Sequence, residues 1–207
     1  MIAIIDYGVG NVAAIGNIYK RLDIAAKLVR TVEELAAADR IVLPGVGSFD
    51  WAMERLNRSG LRPALERAVL GERKPILGIC VGMQMLALGS EEGRLPGFGW
   101  IDGHVKRFEA RRGGRRTQLP HMGWNDVGSA DSVDLFADLV DDPRFYFLHS
   151  YHFEAADSAN VLAVTDYNGD FVSAVRAQNI FGVQFHPEKS GEAGLQVLRN
   201  FVGLAAG

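Results

Sequence analysis

The segment from Pro75 to Cys80 is a nearly continuous apolar run, PILGIC, followed closely by a run of helical character from Met83 to Leu88. A strand with one solvated face alternates apolar and polar residues, whereas a strand that is buried on both faces does not. Strands of the second kind occur in parallel sheets covered by helices. This run therefore predicts an α/β protein with the Pro75–Cys80 segment inside the sheet.

Strand-type runs and helical stretches alternate through the first part of the chain and give way to short strand-like runs after Trp100. The early pattern predicts strands at Ile2–Asp6, Lys27–Val29 and Ile41–Leu43, and helices at Asn11–Leu22 and Thr31–Ala38. The later pattern predicts strands, some of them antiparallel, and a closing helix: His104–Phe108, Arg116–Leu119, Phe145–His149, Val161–Tyr167, Ser173–Ala177, Ile180–His186 and Gly194–Leu204. We expect a single domain, 1–207, with a mixed, mostly parallel sheet, helices on both faces and additional antiparallel strands.

Composition narrows the classes of function. The 207 residues are 48% hydrophobic and 23% charged with a net charge of −3, as in an ordinary globular protein. That charge gives no general attraction to nucleic acid or to anionic membranes, so neither is expected as a partner. The N-terminal MIAIIDYG lacks the pattern of a signal peptide, and a lone cysteine cannot form an internal disulfide, so a cytoplasmic location is expected.

The sharpest chemical signal is Gly78-Ile79-Cys80-Val81-Gly82, placed where a strand gives way to a helical run. The same layout with serine is the nucleophile elbow, in which the two glycines permit a tight turn that projects the nucleophile. Free amides at the start of the next helix favour thiolate over thiol, and the amide of Val81 can face a developing oxyanion. Cys80 is therefore predicted to be a nucleophile.

A cysteine nucleophile needs a base, and among the five histidines His186 has the most suitable context. It ends an apolar strand and precedes Pro187-Glu188, and a residue before proline favours an extended conformation. In an extended segment His186 and Glu188 share a face, so the carboxylate can hold one ring nitrogen while the other faces the thiolate. Because strand C-termini gather at one edge of a parallel sheet, a Cys80-His186-Glu188 triad is predicted there.

Two glycine-rich turns invite functional interpretations that compete with structural ones. Gly45-Val46-Gly47 follows a predicted strand and could supply a second oxyanion donor, although an ordinary turn fits equally well. The G-x-G-x-x-A sequence at 8–13 resembles a dinucleotide-binding turn, but the expected ribose-binding acid is replaced by Arg30. No cofactor is expected. No metal is expected either, because His149 and His152 would lie on opposite faces of one strand without a cysteine pair.

Several motifs taken in order resemble the class I glutamine amidotransferases, a flavodoxin-like family: PGVGSF at 44–49, GICVGMQ at 78–84 and FGVQFHPEKSG at 181–191. DYGVGN at 6–11, PHMGWN at 120–125 and FYFLHSY at 145–151 narrow the resemblance to the glutaminase subunits of imidazole glycerol phosphate synthases. The resemblance implies hydrolysis of glutamine to glutamate and ammonia. The ammonia would pass to a separate (β/α)₈ cyclase subunit, in a heterodimer that serves histidine biosynthesis.

The resemblance also implies roles residue by residue. Cys80 would be the nucleophile, His186 the acid and base, and Glu188 the residue that orients His186. Other positions match an oxyanion hole at Val46, Gly47 and Val81, a substrate pocket at Gly47, Gln84, His149, Ser150 and Tyr151, and a docking face at Asn11, Met122, Trp124, Asn125 and Lys189.

Three alternatives remain open. GICVGMQMLA and FYFLHSYHFE look closer to a paralogous branch that feeds ammonia to sugar-amidating synthases for surface glycans. A stand-alone cysteine hydrolase would need neither a partner nor Gln84. For Trp124, burial in the core is as compatible with the sequence as a place on a docking face.

Overall fold

The architecture was analysed in a computed structural model that describes residues 1–129 and 134–204. The strands in chain order are β1 (Ile2–Ile5), β2 (Ala26–Val29), β3 (Arg40–Gly45), β4 (Ile76–Cys80), β5 (Gly89–Ser90), β6 (Gly103–Arg107), β7 (Arg111–Arg112), β8 (Arg115–Arg116), β9 (His121–Asp126), β10 (Gly128–Ser129), β11 (Arg144–His149), β12 (Tyr151–Ala155), β13 (Val161–Asp166), β14 (Asp170–Ala177) and β15 (Ile180–Val183). The helices are α1 (Val12–Arg21), α2 (Val32–Ala36), α3 (Phe49–Ser59), α4 (Arg62–Glu66), α5 (Val81–Gln84) and α6 (Gly191–Gly203). A π-helical turn at Arg67–Gly71 continues α4, and a 3₁₀ turn at Pro187–Lys189 precedes α6.

One large sheet organises the molecule. Its first part has the order β2-β1-β3-β4-β15 with parallel pairing throughout. Beyond β15 the neighbours β14, β12 and β6 pair antiparallel, and β13 joins through β14. A separate antiparallel ribbon consists of β9 and β11. The predicted mixed sheet with a parallel core and additional antiparallel strands is confirmed.

Burial and capping explain why the early elements form as predicted. Every residue of β4 is buried, as its unbroken apolar sequence requires, and helix α1 turns Ile15 and Tyr19, four residues apart, into the core. At the start of α2 the Thr31 hydroxyl caps the helix by accepting a hydrogen bond from the amide of Glu34 at 3.3 Å. Helices α1 and α6 pack together, as do α2, α3 and α4.

Several element predictions were wrong in length. The predicted Arg116–Leu119 strand overlaps β8 only at Arg116, and the Ile180–His186 strand ends at Val183. The helix expected at Met83–Leu88 starts earlier and lasts only one turn as α5. The carbonyl of Leu86 accepts hydrogen bonds from the amides at 100 and 101, and the Leu88 amide donates to Gly103. These long-range bonds draw the backbone away from the helical path.

The parallel strands converge at their carboxyl ends. Gly45 of β3 pairs in register with Cys80 of β4, and Val183 of β15 pairs with Ile79 on the other side. Cys80 therefore stands at the middle of the sheet edge where ligands of open α/β sheets bind. None of the helices in the described parts of the chain is long and apolar enough to cross a bilayer.

Candidate active site

The turn at Cys80 has the geometry of a nucleophile elbow. Cys80 adopts φ 55° and ψ −112°, a sparsely populated region for a residue with a side chain, between strand β4 and helix α5. A Cβ at Gly78 would lie 2.6 Å from the carbonyl oxygen of Gly82, and a Cβ at Gly82 would lie 1.9 Å from that of Leu43. Because backbone crowds both positions, the elbow requires both glycines, as the sequence predicted.

His186 and Glu188 form a buried pair. The Nδ1 atom of His186 lies 2.9 Å from Oε1 of Glu188, and their side chains are 3% and 2% exposed. The Ser190 hydroxyl donates to the His186 carbonyl at 2.6 Å and anchors the segment. The predicted pairing is present, but its geometry differs from the prediction: His186 is extended while residues 187–189 form a 3₁₀ turn, which carries the carboxylate back to the ring.

Cys80 and Glu188 together determine the charge of the His186 ring. Burial by itself lowers the pKa of this imidazole, but hydrogen bonds with Cys80 and Glu188 and the charges of both groups outweigh it, raising the pKa to about 10. His186 is thus an imidazolium at neutral pH. A charged ring beside the sulfur can donate a proton to a leaving group.

The sulfur of Cys80 has a second polar neighbour that the sequence analysis missed. The amide nitrogen of Gln184 lies 3.7 Å from Sγ and points a donor at it. Gln184 is fully buried and belongs to the apolar segment that leads to His186. A buried amide inside an apolar run is the signal that could have identified it.

A pocket of about 370 Å³ opens over Cys80, within the size range of small-molecule sites. It brings together Cys80 and His186 with every residue predicted for the oxyanion hole and the substrate: Val46, Gly47, Val81, Gln84, His149, Ser150 and Tyr151. Lys189, predicted for the docking face, lines the same pocket. Glu92, Pro120 and Leu148 also line it and were not predicted for the site.

Gln84 lies one turn beyond the nucleophile, with its donors already engaged. Its side-chain nitrogen donates to the carbonyl of Tyr151 and to Oε1 of Gln184, both at 3.1 Å. An amide nitrogen carries only two hydrogens. A ligand in the pocket can therefore use the oxygen of Gln84 as an acceptor but not its nitrogen.

The 45–47 turn is held against the elbow from two directions. Glu92 accepts a hydrogen bond from the amide of Phe49 at 2.8 Å, just after the turn. On the other side the Tyr7 hydroxyl donates to the carbonyl of Pro44 at 2.7 Å, and a Cβ at Gly10 would lie 2.7 Å from the Pro44 side chain. Gly10 of the 8–13 motif thus allows close packing against this turn.

Arg30 takes part in an ion pair. Its Nε and Nη2 atoms each lie 2.7 Å from Oδ2 of Asp6. If the 8–13 motif bound a dinucleotide, Arg30 would have to contact one of its phosphates. In this structure Arg30 is paired with Asp6 instead.

His149 and His152 lie in different strands, β11 and β12, which corrects the premise that they occupy opposite faces of one strand. The ring centroids of both lie close to that of Phe108, at 5.3 and 4.7 Å. Ser150 separates the strands and lets the chain change direction between them. In the described residues no group of three or more His, Cys, Asp or Glu side chains is placed to hold a metal ion.

Of the residues predicted for a docking face, Met122 and Trp124 lie on the outer side of the β9–β11 ribbon. Met122 is 65% exposed and Trp124 is 49% exposed, so Trp124 does not lie in the core. Trp124 packs edge-on against Tyr146, and the Lys189 amine lies 5.5 Å from the centre of that ring. Asn11 is exposed beside α1, whereas Asn125 is half-buried on the inner side of β9.

Replacing Glu188 with alanine is expected to lower kcat for the predicted hydrolysis of glutamine by roughly 10²–10³-fold. The reason is that the carboxylate is predicted to orient His186 without reacting itself. Loss of one hydrogen bond and one charge also lowers the pKa of His186. The alkaline limb of the pH–rate profile should therefore move to lower pH, and steady-state assays across pH test both effects.

A matched control is Glu192→Ala, which removes an exposed carboxylate in the first turn of α6. His186→Ala should cost more than Glu188→Ala, since it removes the proton donor. Equal losses for the two variants, or an unchanged pH profile for Glu188→Ala, would contradict the orienting role.

Fold and site together define a class of protein. A buried cysteine on a strand-to-helix elbow, beside an imidazolium held by a carboxylate, is the arrangement of an enzyme that forms an acyl-cysteine intermediate. Comparison with known proteins narrows this class. Residues 3–204 match the family described as glutamine amidotransferase class-I, and the chain belongs to that family. It is a glutamine amidotransferase.

Curated relatives align along the full length. The protein named imidazole glycerol phosphate synthase subunit HisH of Bdellovibrio bacteriovorus is 53% identical over 201 residues, covering 97% of this chain and 98% of its own. Its namesake from Leptospira interrogans is 48% identical over 204 residues, covering 99% and 100%. A protein named subunit HisH 2 of Pseudomonas aeruginosa is 46% identical over 204 residues, with the same coverage.

Solved structures confirm the fold. A crystal structure of a glutamine amidotransferase superposes with a TM-score of 0.74 at 20% identity, covering 98% of this chain and 99% of that one. The structure of PurLQS from Thermotoga maritima superposes with a TM-score of 0.73 at 19% identity, covering 98% and 97%.

Proposed function

We propose that this chain is the glutaminase subunit of an imidazole glycerol phosphate synthase. It hydrolyses glutamine to glutamate and ammonia and delivers the ammonia to a separate (β/α)₈ cyclase subunit in histidine biosynthesis. The full-length relatives carry that synthase's name. The observation that carries the chemistry is the buried Cys80, His186 and Glu188 cluster at the floor of a pocket of suitable size.

The proposed reaction begins with attack by the Cys80 thiolate on the side-chain amide carbon of glutamine. The carbonyl oxygen becomes an oxyanion, which accepts hydrogen bonds from the amide of Val81 and from the turn at Val46 and Gly47. His186 transfers its proton to the amide nitrogen, the carbon–nitrogen bond breaks and ammonia leaves. A glutamyl thioester remains on Cys80.

Hydrolysis of the thioester completes the cycle. His186, now neutral, takes a proton from water, and the resulting hydroxide adds to the thioester carbon. The second tetrahedral intermediate collapses and releases the γ-carboxylic acid, which loses its proton to solvent and leaves as glutamate. The thiolate and the imidazolium are thereby restored. Glu188 keeps the ring oriented through both steps. Gln84, His149, Ser150 and Tyr151 contact the amino-acid part of the substrate.

The position of the exposed apolar face supports ammonia transfer to a docked partner. Leu148 and Lys189 line the pocket, and the Leu148 carbonyl lies 4.0 Å from Sγ of Cys80. Leu148 pairs in register with Met122, so the two side chains share the outer face of the ribbon. A partner on this face would cover the pocket. We place the single domain, 1–207, in the cytoplasm, where thiols remain reduced.

The test of this function is glutamate release by the purified chain, measured alone and with a (β/α)₈ cyclase subunit and its ribonucleotide substrate. Low activity alone and strong stimulation by the complete mixture are expected. Stimulation by a sugar-amidating synthase, with none by the cyclase, would assign the chain to the paralogous branch. Full activity without any partner would favour a stand-alone hydrolase.

Trp124→Ala is expected to weaken binding of the cyclase by at least about tenfold, because large exposed aromatic residues dominate protein interfaces. Leu70→Ala is the matched control. Leu70 is 50% exposed, comparable to Trp124, but lies before β4 at the opposite edge of the sheet from Cys80. Sedimentation of the complex measures both variants, and an equal effect of the two would contradict the proposed docking face.

A further inference from the structure

A buried pair of histidines lies beside the active site, and the reaction described above does not use the outer member. His121 opens β9 and His149 closes β11, and the two are register partners in the ribbon. Nδ1 of His121 lies 2.9 Å from Nε2 of His149. They are only 3% and 7% exposed, so each ring nitrogen needs a partner within the protein.

The partners of the two rings specify where their protons lie. Nδ1 of His149 lies 2.8 Å from the carbonyl oxygen of Tyr151, which can only accept, so this nitrogen carries the hydrogen. In a neutral ring Nε2 of His149 is then an acceptor, and Nδ1 of His121 must donate to it. Nε2 of His121 is left as an acceptor for the side-chain nitrogen of Asn125, 3.3 Å away.

Burial keeps both rings neutral, as this pattern requires. It lowers the pKa of His121 to about 4. It also lowers the pKa of His149, to about 3, an effect that the neighbouring histidines strengthen and the hydrogen bond to Tyr151 opposes. Both rings are therefore uncharged at neutral pH, with the hydrogen on Nδ1 in each.

The inner end of this chain of hydrogen bonds reaches the nucleophile. The Tyr151 carbonyl that accepts from His149 also accepts from Gln84, which donates in turn to Gln184. Gln184 points its own donor at the sulfur of Cys80. Asn125 and Cys80 are thus joined by an unbroken series of polar contacts along the wall of the pocket.

We propose that His121 is a positioning residue of the glutaminase reaction. By donating to Nε2 of His149 it holds that ring in the position from which Nδ1 donates to Tyr151, and thereby keeps the Tyr151 carbonyl and the Gln84 amide in place to receive glutamine. Without this donor, Nε2 of His149 is a buried acceptor with no partner. The ring then gains by turning Nε2 toward another donor or toward water, which weakens its bond to Tyr151.

Two substitutions separate the hydrogen bond of His121 from its packing. His121 stacks on Tyr167 and Phe147, with ring centroids 3.9 and 4.7 Å apart. His121→Phe keeps a stacked ring but has no donor. His121→Asn loses the stacking but places an amide nitrogen close to the position of Nδ1.

His121→Phe is expected to raise the KM for glutamine at least about tenfold, with kcat within about threefold of wild type, because the chain orients the substrate pocket. His121→Asn should keep KM within about threefold although its melting temperature falls. A simple packing role predicts the reverse order. An unchanged KM in His121→Phe, or equal defects in both variants, would overturn the proposal.

A second readout does not depend on turnover. Nitrogen-15 spectra of the imidazoles should show the hydrogen of His149 on Nδ1 and a hydrogen-bonded Nε2 in the wild-type chain. In His121→Phe the Nε2 signal should shift because that hydrogen bond is lost. Wild-type His149 protonated on Nε2 would refute the proposal. The inference rests on the proposed glutaminase activity. If the chain gives the expected spectrum but hydrolyses no glutamine with any partner, the glutaminase activity is refuted and the tautomer assignment remains valid.

Discussion

Cys80→Ala is expected to reduce the rate of glutamine hydrolysis at least about 10⁴-fold, to a background rate that no partner stimulates. The fold should remain intact. No other cysteine exists in the chain, so nothing can replace the thioester-forming sulfur. Alanine keeps the Cβ that Cys80 already carries at φ 55° and therefore adds no backbone strain. Glutamate release and the melting temperature, measured on the same preparation, test the two halves of this expectation.

Cys80→Ser is the stringent companion of that variant. It preserves the shape of the side chain and offers a hydroxyl, but the hydroxyl is far less acidic than the thiol and is a poor nucleophile beside an imidazolium. Its activity should fall nearly as far as that of the alanine variant. Turnover near the wild-type level in either variant would remove Cys80 from the reaction.

Gly82→Ala is expected to prevent correct folding or to cost at least about 4 kcal/mol in the free energy of unfolding. A Cβ at this position would lie 1.9 Å from the carbonyl oxygen of Leu43 and 3.0 Å from its carbon. Both atoms belong to the backbone of β3 in the centre of the sheet, where the chain cannot yield without disturbing its neighbours. Denaturant unfolding of the purified variant measures the loss.

Gly71→Ala provides the control for this substitution. It makes the same chemical change at the end of the π-helical turn, where a Cβ would meet no heavy atom of the described residues within 4 Å. Its free energy of unfolding should remain within about 1 kcal/mol of wild type. A Gly82→Ala variant as stable as this control would show that the elbow tolerates a side chain.

The three residues that we propose for catalysis could be identified from the sequence because the patterns that point to them are local. The two glycines that frame Cys80 are each two residues away, and a tight turn at that place requires them whatever surrounds it. His186 and Glu188 are also two residues apart. Their pairing followed even though the backbone reaches it through a 3₁₀ turn instead of an extended segment.

Element lengths were harder to predict because distant hydrogen bonds end the elements. Helical periodicity continues past Gln84, yet the amide of Leu88 donates its hydrogen bond to the distant carbonyl of Gly103. The apolar run beyond Val183 leaves the strand because the amide of His186 bonds to the carbonyl of Tyr146, which belongs to the separate β9–β11 ribbon. Periodicity describes the preference of a segment but carries no information about these remote partners.

The sequence alone was sufficient for the class of fold, the strand-to-helix elbow at Cys80 and the pairing of His186 with Glu188, since backbone preferences over a few neighbouring residues produce the elbow and the pairing. The supporting contacts depend on the folded chain. Gln184 at the sulfur, Glu92 at the 45–47 turn and the pairing of His121 with His149 all join residues far apart in sequence. Such contacts arise because the sheet and the ribbon bring remote segments together. Which residues meet depends on the register of the paired strands, and no local pattern encodes that register.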